Sequence, residues 1–131
     1  MRTRLVWGIA VLALGGCNRP SADERRLIGT WQSSAAIERH EDGSEARIPV
    51  DPPAMEVTFT SDHEERWRSL GGEGEATARW HLEGNELVFT MTTKSFWGPP
   101  GITKRERIEK LTADELIVGD ATMAGVWARI K

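Results

Sequence analysis

The 131-residue sequence has a single cysteine, Cys17, so no disulfide can form within the chain and any domain must be held by its core. It has no run of basic residues. With 17 basic against 20 acidic side chains the net charge is −3, which gives no support for binding nucleic acid. The three histidines, His40, His63 and His81, match no metal-ligand spacing. No Ser-His-Asp arrangement, phosphate-cradling glycine loop or pair of facing carboxylates can be read from the chain. Those absences argue against an enzyme and imply no cofactor and no metal. Past residue 16 there is no apolar run long enough to span a bilayer. No internal repeat and no low-complexity segment is visible.

What is present begins at the N-terminus. Arg2 and Arg4 precede an apolar run, Leu5 to Leu14, of the length of a secretion-signal core and too short to cross a membrane. Leu14-Gly15-Gly16-Cys17 resembles the lipobox of bacterial lipoproteins. That resemblance implies a signal peptide over 1–16, diacylglyceryl transfer to the Cys17 sulfur and cleavage before Cys17. Two acyl chains on one residue anchor a protein firmly. Removing 1–16 leaves 115 residues with 15 basic and 20 acidic side chains, a net charge of −5. Anionic headgroups would repel such a chain, so attachment rests on the lipid. Asn18 after the cysteine is not the Asp that commonly retains lipoproteins at the inner membrane. The expected location is therefore the outer membrane, facing the periplasm.

Residues 17–26 read as a short polar tether. Ser21-Ala22-Asp23-Glu24 matches a capping box, with Ser21 as N-cap, and predicts one or two helical turns to Leu27. From Gly29 onward the apolar residues recur with period two between turn signals. Eight strands follow: Thr30 to Glu38, Met55 to Phe59, Glu65 to Leu70, Ala76 to Leu82, Leu87 to Met91, Ile102 to Lys110, Leu116 to Val118 and Val126 to Ile130. A short extended piece at Ile48-Pro49-Val50 interrupts the polar stretch Arg39 to Pro53. Eight antiparallel strands with one apolar face each are best satisfied by closing into an up-and-down barrel.

Four segments carry a resemblance to lipocalins and to small bacterial lipocalin-like domains. They are Leu27-Ile28-Gly29-Thr30-Trp31, Val57 to Asp62, Trp80 to Leu87 and Leu111 to Leu116. His63 stands where those domains usually have glycine. The resemblance implies an all-β, eight-stranded antiparallel barrel over 27–131, with Arg129 placed against the opening Trp31. Arg129 would cover the indole face by a cation–π contact. It also implies a small apolar or amphiphilic ligand. The chain is shorter than a typical lipocalin.

The face expected inside contains Val57, Phe59, Trp67, Ala78, Trp80, Leu87, Phe89 and Met91. These residues suit either a pocket lining or a core filled by its own side chains. A filled barrel would favour the alternative of an envelope interaction module, an assembly factor or inhibitor working through its rim loops on a protein partner that the sequence does not name. Phe96 and Trp97 lie on a Gly-Pro-Pro loop, where aromatics mark a contact surface, a lid or simple packing. The strand after it is heavily charged. In one register Lys104 and Glu106 face inward, and in the other Arg105 and Arg107 do. Lys104 or Arg105 would then meet an anionic headgroup held under Phe96 and Trp97. Asp62, Glu64 and Glu65 read as turn and surface charges.

Overall fold

The computed structural model describes residues 21–130. The signal segment 1–16 and Cys17 lie outside the described residues. The described residues open on helix α1, Ala22–Leu27. Its capping box is complete. The Ser21 hydroxyl accepts from the Glu24 amide at 3.1 Å, and the Glu24 carboxylate accepts from the Ser21 amide at 3.0 Å. The helix is fastened to the barrel rather than hanging free as a tether. Leu27 is fully buried, and Glu24 reaches His63 Nε2 at 3.0 Å.

Among the described residues nine strands form one antiparallel sheet. They are β1 Gly29–Arg39, β2 Glu45–Pro49, β3 Met55–Phe59, β4 Glu64–Ser69, β5 Glu75–Glu83, β6 Glu86–Met91, β7 Thr103–Leu111, β8 Glu115–Gly119 and β9 Met123–Arg129. Eight of them close into a barrel in the order β1-β3-β4-β5-β6-β7-β8-β9, with β9 returning to β1 from Trp31↔Arg129 to Glu38↔Met123. This is the eight-stranded all-β barrel that the period-two pattern predicts. The additional strand, β2, forms a hairpin with the second half of β1, pairing Ala35↔Pro49 through Arg39↔Glu45. The sequence shows only its last residues as extended. The reason is physical: its side chains are exposed or half-buried, so no apolar alternation marks it. Its terminal Pro49 suits an edge.

All eight residues expected on the inner face are buried. They form one core with Leu27, Trp31, Leu116 and Val118. A smaller cluster of Ala35, Ile37, Ala124 and Val126 is buried where β1 meets β9.

The helix end of the barrel is shut. Trp31 is fully buried, donates from Nε1 to the Leu27 carbonyl at 2.9 Å, and carries the Arg129 guanidinium 4.2 Å over its ring. Arg129 also donates to the carbonyls of Ile28 at 3.0 Å, Ala113 at 2.6 Å and Arg26. Gly29 is required here on two counts. Its φ is +137°, and a β-carbon would stand 2.3 Å from Arg129 Nη1. His63 has φ +69°, a left-handed conformation that explains why glycine is usual at that step in the domains it resembles.

Candidate functional site

The opposite end is a mouth. It is formed by the β4–β5 turn, the β6–β7 loop and the β8–β9 turn. Trp97 comes down from the β6–β7 loop into this opening. Its ring lies 5.1 Å from Trp67, 5.4 Å from Phe89 and 4.0 Å from Phe96, and Trp67 in turn lies 5.7 Å from Trp127. The edge-to-face crossings among these rings are the arrangement that ring quadrupoles favour. Phe96 itself is 77% exposed.

The loop is pinned at both flanks. Ser95 and Gly98 exchange backbone hydrogen bonds at 2.9 Å, and Met91 pairs with Ile102 and Gly101 at 2.8 Å. Gly98 has φ +128°, and a β-carbon there would press on the Ile102 side chain at 2.6 Å. Of the contact surface, lid and packing that the sequence leaves open, the geometry is that of packing, a plug held at both flanks.

Trp97 separates two hollows. The larger, about 490 Å³, is lined by Met55, Trp67, Ala76, Phe96 and Trp97, with Lys94 and Glu75 among its polar walls. The second, about 320 Å³, lies on the other side of Trp97 and is lined by Lys104, Arg105, Glu106, Val118, Asp120 and Gly125.

Strand register resolves the two faces of β7. Leu87 pairs with Glu106 and Phe89 with Lys104, so Lys104 and Glu106 share the inward face of these core residues. Arg105 is turned outward. Its guanidinium is held by Glu83 at 2.8 Å and Glu86 at 3.2 Å, while the residue also lines the hollow behind Trp97. Of the four ligand-contact residues expected from the sequence, the structure brings Phe96 and Trp97 to the first hollow and Trp97, Lys104 and Arg105 to the second, with the Arg105 guanidinium tied outside by Glu83 and Glu86.

The residue that the sequence reading misplaces is Glu65. It is not a surface charge but fully buried, with 0% exposure. It pairs with Phe59 on one side and Ala78 on the other, both in the core, so it points into the barrel. The signal was available: Glu65 stands two residues before Trp67 in a period-two strand and must share its face. Neither of its carboxyl oxygens has a hydrogen-bond partner, and the indole N–H groups of Trp67 and Trp80 are buried without one too. Burial pushes the Glu65 carboxyl well above the usual carboxylate range, and the charge of Glu106 adds to the rise. The Trp67 indole lies close enough to pull the other way. Glu106 is also raised, first by burial and then by Asp120, while Lys104 lowers it.

No family model matches the chain, and no curated protein sequence matches it. Solved structures do resemble it. One is a lipocalin-like protein from Bacteroides uniformis, 16% identical, with a TM-score of 0.61 over 80% of this chain and 99% of the other. The second is a protein from Bacteroides eggerthii, 15% identical, also with a TM-score of 0.61, over 79% of this chain and 99% of the other. At such identity the likeness is one of fold, and the fold is lipocalin-like.

Proposed function

We propose that this is a membrane-anchored, non-catalytic binding protein of the cell envelope whose barrel mouth takes a small apolar or amphiphilic ligand. The observation that carries the reading is the hollow of about 490 Å³ beside Trp97, walled by aromatic and aliphatic side chains with charge at its edge. Ligand sites of small molecules have this size and this balance of apolar wall and sparse polar groups. N-Phenyl-1-naphthylamine, whose fluorescence rises in apolar sites, tests it by titration. Wild type is expected to bind saturably at one site. Trp97→Ala is expected to weaken binding about tenfold, equivalent to ~1.4 kcal/mol. No saturable signal from wild type overturns the reading. The exposed ring of Phe96 at the rim then favours the second reading, a protein partner docked on the mouth.

The lipobox supports the anchoring half of the proposal. Cys17→Ser is expected to block lipidation, leaving either uncleaved precursor or protein that partitions into the aqueous phase of a detergent extraction. Fractionation is expected to find wild type in the outer membrane of a two-membrane cell. Normal processing and detergent partitioning of the variant would refute attachment through Cys17.

A further inference from the structure

The interior of the barrel contains more polar chemistry than a receptor for a plain hydrophobe needs. Three groups on neighbouring inner-face positions are buried without a hydrogen-bond partner: the Glu65 carboxyl, the Trp67 indole N–H and the Trp80 indole N–H. Trp67 is two residues along β4 from Glu65. Trp80 is two residues along β5 from Ala78, the direct cross-strand neighbour of Glu65. Such diagonal positions are within reach of long side chains. Glu106 stands on the same interior, close enough for its charge to act on Glu65. It makes no ion pair or hydrogen bond of its own among the described residues, and it lines the hollow behind Trp97.

Counting donors and acceptors shows what the set lacks. With Glu65 neutral, the three groups offer three hydrogens, and the acid's weak acceptor oxygens have two indoles to serve. With Glu65 ionised, its two oxygens become strong acceptors for both indole N–H groups. Ionisation in that place needs a positive counter-charge, and burying a carboxylate without one is prohibitive. Phe59 and Ala78 flank Glu65 on the neighbouring strands, and Trp67 follows it on its own; none carries charge. The charged groups about Glu106 are Glu65 of β4, Lys104 and Arg105 on its own strand, the latter bonded to Glu83 and Glu86, and Asp120 from the β8–β9 turn. Lys104 is exposed and bonds neither acid. Among the described residues no three metal-type ligands converge, so a metal ion is not the natural counter-charge.

We propose that the barrel recognises an organic cation: the amine of an amphiphile lies inward toward Glu106 and Glu65, and its apolar part lies against Trp97, which borders both hollows. The aromatic rings suit this ligand twice, as apolar wall and as π-faces for the cation. This rests on the ligand-binding reading above and names the ligand's class. It also reverses the charge of headgroup expected from Lys104 and Arg105 alone. Binding is proton-linked. The amine enters protonated, Glu65 gives up its proton to solvent, and the resulting ion pair replaces a neutral acid. Affinity for the amine therefore rises with pH until the free protein's Glu65 would ionise unaided, and levels off there.

The test uses three decyl probes below their micellar concentrations: decylamine, decanol and decanoic acid, titrated by calorimetry and tryptophan fluorescence at pH 5 and pH 8. Wild type is expected to bind decylamine at least tenfold more tightly than decanol at pH 8, with a smaller ratio at pH 5. Proton release is read from calorimetry in buffers of different ionisation enthalpy. Glu65→Gln keeps the shape of the neutral acid and is expected to bring the amine-to-alcohol ratio to about one at both pH values. Glu106→Gln is expected to reduce it in part. Thermal melts check that both variants fold. Decanol or decanoic acid bound as tightly as decylamine by wild type overturns the cation site and leaves the cavity reading standing. So does a ratio unchanged in both variants. Failure of all three probes to bind overturns both.

Discussion

Trp31→Ala is expected to destabilise the domain by ~3–5 kcal/mol, the cost of emptying a large buried aromatic site. A domain of this size has ~5–15 kcal/mol in total, so the variant should be largely unfolded in mild denaturant. The expectation rests on position as much as on volume. Trp31 pairs with Val57 of β3 and Arg129 of β9 at the closure of the barrel. Its indole N–H satisfies the last carbonyl of α1, and its ring carries the Arg129 guanidinium. Removing the ring opens a void and takes away the surface that holds Arg129 in place. Arg129→Met tests the second half. It keeps apolar cover over the indole but loses the cation–π contact and the bonds to Ile28 and Ala113, and should cost less, about 1–3 kcal/mol. Urea denaturation followed by circular dichroism measures both. A Trp31→Ala variant that melts with wild type would show that closure does not depend on this residue.

The closed end was legible in the sequence because its parts are large, few and local. Gly29 and Trp31 open the first strand, Arg129 ends the last, and Ser21 with Glu24 spells out the cap between tether and barrel. The eight closing strands were legible because each buries one face, and burial writes period two into the chain. β2 was not, since a hairpin strand wet on both faces leaves no such record. In β7 the pattern was ambiguous: Lys104, Arg105, Glu106 and Arg107 are charged on both faces, and only pairing with Leu87 and Phe89 on β6 selects the register. Glu65 was lost for a different reason. Three acidic residues near a turn, Asp62, Glu64 and Glu65, look alike as charges, although alternation with Trp67 assigns one of them to the core. Acidic type points to the surface and strand phase to the interior, and in the structure phase decides. The two hollows were not legible at all, because they depend on how the eleven-residue β6–β7 loop folds back between aromatic rings.

Replacing Glu65 is expected to stabilise the free protein, by an amount that depends on pH. Its carboxyl has a folded-state pKa raised well above the ordinary 4.5, chiefly by burial and then by Glu106. Below pH 4.5 the group is protonated in both states and costs only its unmet hydrogen bonds. As pH rises past 4.5 the unfolded chain ionises while the folded one holds its proton, so stability is lost progressively up to the folded pKa, and the loss is complete above it. Other carboxylates act oppositely. Glu24 is lowered although burial works against it, because His63 and the Ser21 amide hold its charged form; Asp120 is lowered by the amide and hydroxyl of Thr122. Both contribute stability that disappears on acidification. The Glu65 contribution is therefore read as a difference between proteins. Glu65→Gln should melt close to wild type near pH 5, and its advantage should grow toward pH 8. Glu65→Met is nearly volume-conserving and also removes the unsatisfied oxygens. It should gain about 1–3 kcal/mol at pH 8, the cost of leaving a buried polar group without partners. Decylamine should narrow the gap by stabilising only the wild type. A stability difference that stays flat with pH, or that shrinks as pH rises, would mean that Glu65 is ionised and paired inside the barrel.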